Sequence, residues 1–137
     1  GIGTGGHLSG IGEVLKEKFP HTKVLGIEPA GSPILSGGKP GPHPLQGIGT
    51  GFIPKTLNTS IYDGIITIEK EEAYEYTKRL VRTEGILAGI STGTSLAAIA
   101  KKLPEIKESE VVLTVNYDSG DRYWSVADLF EENPFTE

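Results

Sequence analysis

Apolar positions recur at helical spacing in three stretches of the chain. Leu8, Ile11, Leu15 and Phe19 predict a helix over 7–19, with Glu13, Lys16, Glu17 and Lys18 largely opposite and Pro20 ending it. Ala73, Tyr76, Leu80 and Val81 predict a second over 70–84, closed by Gly85. A third is expected over 95–103, with Leu96, Ile99 and Leu103 inward and Ala97, Ala98 and Ala100 permitting close packing. Between them lie short β-branched runs at 23–27, 64–68, 86–90 and 110–116, which read as strands. Residues 91–94 read as a turn, 118–121 as a polar loop, and a short helix is expected around 125–131. Residues 32–54 show no period and many Gly and Pro, but Ile34, Leu35, Leu45, Ile48, Phe52 and Ile53 predict an ordered, functional loop. Helices alternating with short strands predict an α/β fold with a mostly parallel sheet.

Composition narrows the function classes. The 137 residues include 19 Gly, no Cys and no Met, and 36% are hydrophobic, enough for a real core. Without cysteine the chain has no disulfide, thiolate metal site or Cys nucleophile. His7, His21 and His43 lack metal-ligand spacing, so no metal site is expected. A net charge of −5 without basic clusters argues against a nucleic-acid partner. No apolar run approaches the roughly 18 residues of a membrane span, and the expected location is the cytoplasm. A glycine loop opening the chain, with a helix leading out and no strand feeding in, points to a piece of a longer protein cut just upstream of Gly1.

Three segments carry candidate chemistry. Glycines at 1, 3, 5 and 6 leave backbone amides unobstructed before a helix, an arrangement that binds phosphate. The spacing Gly1-x-Gly3-x-x-Gly6, with Glu28 ending the next strand, also fits a dinucleotide-binding half-domain, in which the acid would hold a ribose. The Thr4 hydroxyl adds a donor better suited to a terminal monoester. The second segment, Gly89-Ile90-Ser91-Thr92-Gly93-Thr94, lies where open α/β sheets bind ligands, although Ser91 or Thr92 could equally cap the helix. The third runs from Ser36-Gly37-Gly38-Lys39 to Gln46-Gly47-Ile48-Gly49-Thr50-Gly51 and suits a ligand-covering loop. A structural Ω-loop is the alternative, with Lys39 and His43 as surface residues.

Together GIGTGGHLSGIGEVLKEKFP, KVLGIEP, SGGKPGPHPLQGIGTGFIP, EGILAGISTGTSLAAIAKK and DSGDRYWS resemble the cysteine synthase (O-acetylserine sulfhydrylase) and cystathionine β-synthase family of pyridoxal-phosphate enzymes. The middle segment is the most specific. The resemblance implies a three-layer sheet with flanking helices, the large cofactor domain of the tryptophan-synthase-β-like fold, with 1–137 as its C-terminal portion. It implies that Gly3, Thr4, Gly5, Gly6 and His7 hold the phosphate of pyridoxal 5'-phosphate, with His7 where the family usually has Thr. Ser91 would bond the pyridine nitrogen, and Gln46, Gly47, Ile48, Gly49 and Thr50 would lie near the substrate entrance, Thr50 replacing a frequent Ala. The implied reaction forms L-cysteine from O-acetylserine and sulfide, with a cystathionine β-synthase-type reaction second. The family's Schiff-base lysine belongs to its N-terminal portion, so no catalytic residue is assigned here and the chain alone is expected to be inactive. A homodimer and serine acetyltransferase are the implied partners. A nucleotide-binding half-domain and a non-catalytic binding module are the competing classes.

Overall fold

The computed structural model describes residues 1–130. They form two compact units, Gly1–Lys70 and the residues from Glu71 onward, each with its own core.

In the first unit, α1 (Gly6–Lys18) is followed by β1 (Leu25–Pro29) and, after a long loop, by β2 (Gly64–Ile68). The strands pair in parallel, with Leu25 opposite Gly64, Ile27 opposite Ile66 and Pro29 opposite Ile68. Parallel neighbours require a crossover connection, and residues 30–63 supply it without a helix. That loop is ordered as expected: Leu45, Ile48, Leu57 and Ile61 join Ile2, Ile27, Ile66 and Ile68 in the core. Phe52 and Ile53, expected to help order it, are instead 63% and 53% exposed. The Asp63 carboxylate closes the base of the unit, accepting from Lys16 Nζ on α1 and from the Val24 amide, both at 2.7 Å.

Helix α1 does not bury the face its apolar spacing predicts. Leu8 and Leu15 are half-buried, while Ile11 and Phe19 are largely exposed, and the buried residues are Ser9 and Gly12. Small size decides this. A Cβ at Gly12 would lie 2.8 Å from Ile61 Cγ1, so only glycine lets the helix come this close. Ser9 Oγ donates to the Thr56 carbonyl at 3.1 Å and accepts from the Asn58 amide at 2.8 Å.

In the second unit, α2 (Lys70–Glu84) matches its expected span, and α3 covers Ile90–Lys102. The residues expected as a turn, 91–94, are therefore the first turns of α3. Hydroxyl side chains are accommodated there by bonding back four residues: Thr94 Oγ1 donates to the Ile90 carbonyl at 2.8 Å and Ser95 Oγ to that of Ser91 at 3.1 Å. The helices meet at Gly93, where a Cβ would fall 1.9 Å from Thr77 Oγ1 and 2.5 Å from the Ala73 carbonyl oxygen. This contact turns α2 so that Ala73, Tyr74 and Thr77 are buried, while Tyr76, Leu80 and Val81 are only half-buried. On α3, Ala97 and Ala98 pack inward, but Leu103 is 62% exposed and has passed into a short 3₁₀ turn.

Three further expectations are corrected. The run 86–90 makes no strand, only a single antiparallel bridge from Ala88 to Ser119. Residues 110–116 form no strand, because no other described segment pairs with their backbone, and Val111 and Leu113 stand 95% and 77% exposed. In place of a helix near 125–131 there is a 3₁₀ turn at Gly120–Tyr123 followed by single turns. Asp128, with φ of 66°, sits in the left-handed region and interrupts any continuation. Glu131 lies outside the described residues.

Candidate functional site

The glycine loop ends at the N-terminus of α1, which starts at Gly6 with Gly5 as its N-cap. No side chain caps this helix and no acid occupies its first turn. Its leading amides and positive dipole end are thus not neutralised from within, as an anion site requires. Gly5 has φ of 86°, and a Cβ there would lie 2.6 Å from Leu57 Cβ. A Cβ on Gly3 would lie 2.6 Å from the Gly47 carbonyl oxygen, whereas Gly6 opens onto free space. The loop is therefore a cradle at two positions that only glycine fits. The Thr4 side chain is exposed, and its carbonyl is held by the Thr56 hydroxyl. His7 is exposed in the first helical turn.

The structure brings the expected substrate loop against this cradle. The Ile2 amide donates to the Ile27 carbonyl at 2.9 Å, and the Ile2 carbonyl accepts from the Gly49 amide, also at 2.9 Å. Ile2 thus lies between β1 and the second loop. Gly47, Gly49 and Gly51 have φ of 89°, 70° and 77°, a backbone path that other residues rarely adopt. Gln46 and Thr50 are exposed, while the Ile48 side chain is buried and serves the core. The Thr50 hydroxyl donates to the Phe52 carbonyl at 2.8 Å and so braces its own loop.

Glu28 is not placed to hold a ribose. It is 3% exposed, and both carboxylate oxygens are occupied. Oε2 accepts from the Leu35 amide at 2.8 Å, and Oε1 from the Ser36 amide at 2.9 Å and the Ser36 hydroxyl at 2.5 Å. The acid anchors the loop after β1, which removes the main support of the dinucleotide reading. Its spacing after the glycine loop could not distinguish these roles, since both need a carboxylate at the end of a strand.

In the second unit, Ser91 is 7% exposed in the first turn of α3. Capping does not explain it, because Gly89 is the N-cap and no side chain caps the helix. Thr92 is committed elsewhere: its hydroxyl donates to Asn116 Oδ1 at 2.9 Å and accepts from the Tyr117 amide at 3.2 Å. Gly89 is pressed by Asp118, whose Oδ1 would lie 2.0 Å from a Cβ there. The other oxygen, Oδ2, accepts from the Tyr123 hydroxyl at 2.5 Å. Burial above all, then that bond and the charge of Asp118, pushes the Tyr123 phenol up to about 12. This Asp118–Tyr123 support was missed in the sequence, although the polar run 118–121 was its only visible sign.

Comparison with known proteins follows the same segments. The family model described as "Pyridoxal-phosphate dependent enzyme" matches residues 1–118. A cysteine synthase of Staphylococcus aureus is 52% identical over 125 residues, 91% of this chain and 40% of that protein. Among solved structures, O-acetyl serine sulfhydrylase isoform 3 from Entamoeba histolytica superposes with a TM-score of 0.91 at 34% identity, over 99% of this chain and 41% of the other. The O-acetylserine dependent cystathionine beta-synthase from Helicobacter pylori gives 0.85 at 43% identity, over 91% and 40%. The chain thus spans about 40% of the length of the curated relatives it matches.

Proposed function

The chain belongs to the pyridoxal-phosphate dependent enzymes, and from that premise we propose that it is the phosphate-holding and substrate-covering portion of a β-replacement enzyme that replaces the acetate of O-acetylserine with sulfide to give L-cysteine and free acetate. One observation carries the reading. An uncapped helix start, reached through glycines that tolerate no Cβ, lies directly against a second glycine loop. A phosphate monoester fits the first and a small amino acid the second. The Staphylococcus aureus cysteine synthase and the Entamoeba histolytica sulfhydrylase, to which the chain is similar, support the same chemistry.

Pyridoxal phosphate, when bound, supplies the electron sink for breaking bonds at the amino acid's α-carbon. The chain's own residues would hold and orient it. The amides after Gly3 and Gly5, with the Thr4 hydroxyl and His7, would bind the phosphate by hydrogen bonds and helix dipole. Ser91 would offer the pyridine nitrogen a neutral hydroxyl, which cannot hold a proton there as a carboxylate would. That keeps the ring a modest sink and favours prompt loss of the β-substituent. Gln46–Thr50 would cover the substrate and exclude water.

The test is spectroscopic. The full-length protein purified with pyridoxal phosphate is expected to show a band at about 410 nm that shifts on adding O-acetylserine, and to release cysteine once sulfide is supplied. Tight binding of NADH without that band would reject the reading. A second acceptor is worth offering, because the Helicobacter pylori cystathionine beta-synthase is 43% identical over 91% of this chain, beside 52% over the same share for the Staphylococcus aureus cysteine synthase. Faster turnover with homocysteine than with sulfide would establish that variant. The resemblance also supports a homodimer that docks serine acetyltransferase, which sedimentation with and without that enzyme would reveal.

A further inference from the structure

We propose that His43 is the positioning residue of the Gly47–Gly51 loop, an assignment that rests on reading that loop as the substrate-facing one. His43 Nε2 lies 2.8 Å from the Gly49 carbonyl oxygen. A carbonyl only accepts, so Nε2 is the donor of this bond. Nδ1 is buried and meets no hydrogen-bond partner among the described residues. The ring is thus committed to a single hydrogen bond. With one nitrogen occupied and the other sealed off, it is built to hold a backbone and not to move protons.

Gly49 is gripped from both sides. A Cβ on it would lie 2.6 Å from His43 Nε2 and 2.5 Å from Pro29 Cγ at the end of β1. Its amide bonds the Ile2 carbonyl while its carbonyl bonds the imidazole. Without the second bond, a stretch with three positive-φ glycines would be tied at Gly49 through its amide alone. The position of His43 is set in turn by the segment before it. A Cβ on Gly41 would lie 2.3 Å from the Gly31 carbonyl oxygen, and one on Gly31 would lie 2.9 Å from that of Pro42. The two backbones are in direct contact, reinforced by the Gly41 amide donating to the buried Ser32 hydroxyl at 3.4 Å. Order therefore passes from the end of β1, through His43, to the loop beside the cradle.

The experiment compares His43→Ala and His43→Gln with the parent in the full-length protein. Glutamine keeps an N–H near the place of Nε2. Hydrogen exchange is read on peptides covering 46–52, beside cofactor absorbance and the split between KM and kcat for O-acetylserine. His43→Ala is expected to raise exchange of the Gly49 amide and KM about fivefold each, the effect of one hydrogen bond, with kcat and cofactor absorbance little changed. His43→Gln is expected to recover most of both. Unchanged exchange in His43→Ala, or no recovery in His43→Gln, would overturn the assignment. If the parent shows no turnover with O-acetylserine, the substrate reading fails by itself, and the exchange measurement still decides whether His43 orders the loop.

Discussion

At the scale of single residues, the site depends on positions where a side chain is forbidden or a polar atom is fully committed. Gly5 combines positive φ with Leu57 at contact distance. Gly5→Ala should therefore cost about 1–3 kcal/mol of stability and weaken retention of pyridoxal phosphate, measured by denaturant unfolding and by absorbance after dialysis. Gly6→Ala, facing open space, should keep the parent's stability in the same assay. Glu28→Gln replaces an acceptor of three hydrogen bonds with a group that must turn an NH₂ towards donors. A loss of about 2 kcal/mol is expected, with loosening of the loop after β1. Were Glu28 a ribose ligand, the change would alter nucleotide affinity and leave stability alone. Ser91→Asp should leave the cofactor bound but alter its absorbance and slow turnover. Identical spectra would remove Ser91 from the pyridine nitrogen.

At the scale of elements, the runs at 7–19, 23–27, 64–68, 70–84 and 95–103 were legible as elements though not in their facing, while those at 86–90, 110–116 and 125–131 formed none among the described residues. Strand 64–68 and helix 70–84 were legible to the residue, because the β-branched run opens after Asp63 at Gly64, charged residues follow it, and the amphipathic run stops at Gly85. The faces of α1 and α2 were not, since apolar spacing marks where bulk could be buried. Packing here is set by the small residues Gly12 and Gly93, which let neighbours approach more closely than bulk allows. The start of α3 was misread because Ser and Thr favour turns locally, and only the buried backbone of the folded state gives their hydroxyls a carbonyl four residues back. The candidate loops were visible as glycine patterns, but the Gly3–Gly47 contact comes from long-range packing that no local pattern encodes, and Glu28 is committed to amides seven and eight residues on by the fold of a loop that has no sequence period. A pair of substitutions in α1 separates the two uses of helical glycine. Gly10→Ala meets nothing within 4 Å and should stabilise the protein by about 0.5–1 kcal/mol. Gly12→Ala should destabilise it by about 1–3 kcal/mol, because Ile61 must give way. Thermal unfolding of both variants checks the contrast.

At the scale of the whole molecule, two groups contribute pH dependence at opposite ends of the range. The hydrogen bond from Lys16, then that from the Val24 amide, holds Asp63 below the usual carboxylate range. The stability it contributes is present above its unfolded pKa and lost as pH falls below about 4. Tyr123 acts at the other end. Its proton is held more tightly when folded, so its contribution is full below about 10 and lost as pH rises towards the folded value of about 12. Unfolding curves across pH should become shallower on the acid side in Asp63→Asn and on the alkaline side in Tyr123→Phe, each without affecting the other end. A further consequence follows from the helix-free connection between β1 and β2. The two strands pair only when residues 30–63 close on themselves, a closure whose entropic cost rises only slowly with loop length. Because those same residues include Gly47–Gly51, pairing β1 with β2 and seating the second glycine loop beside the first are one and the same closure.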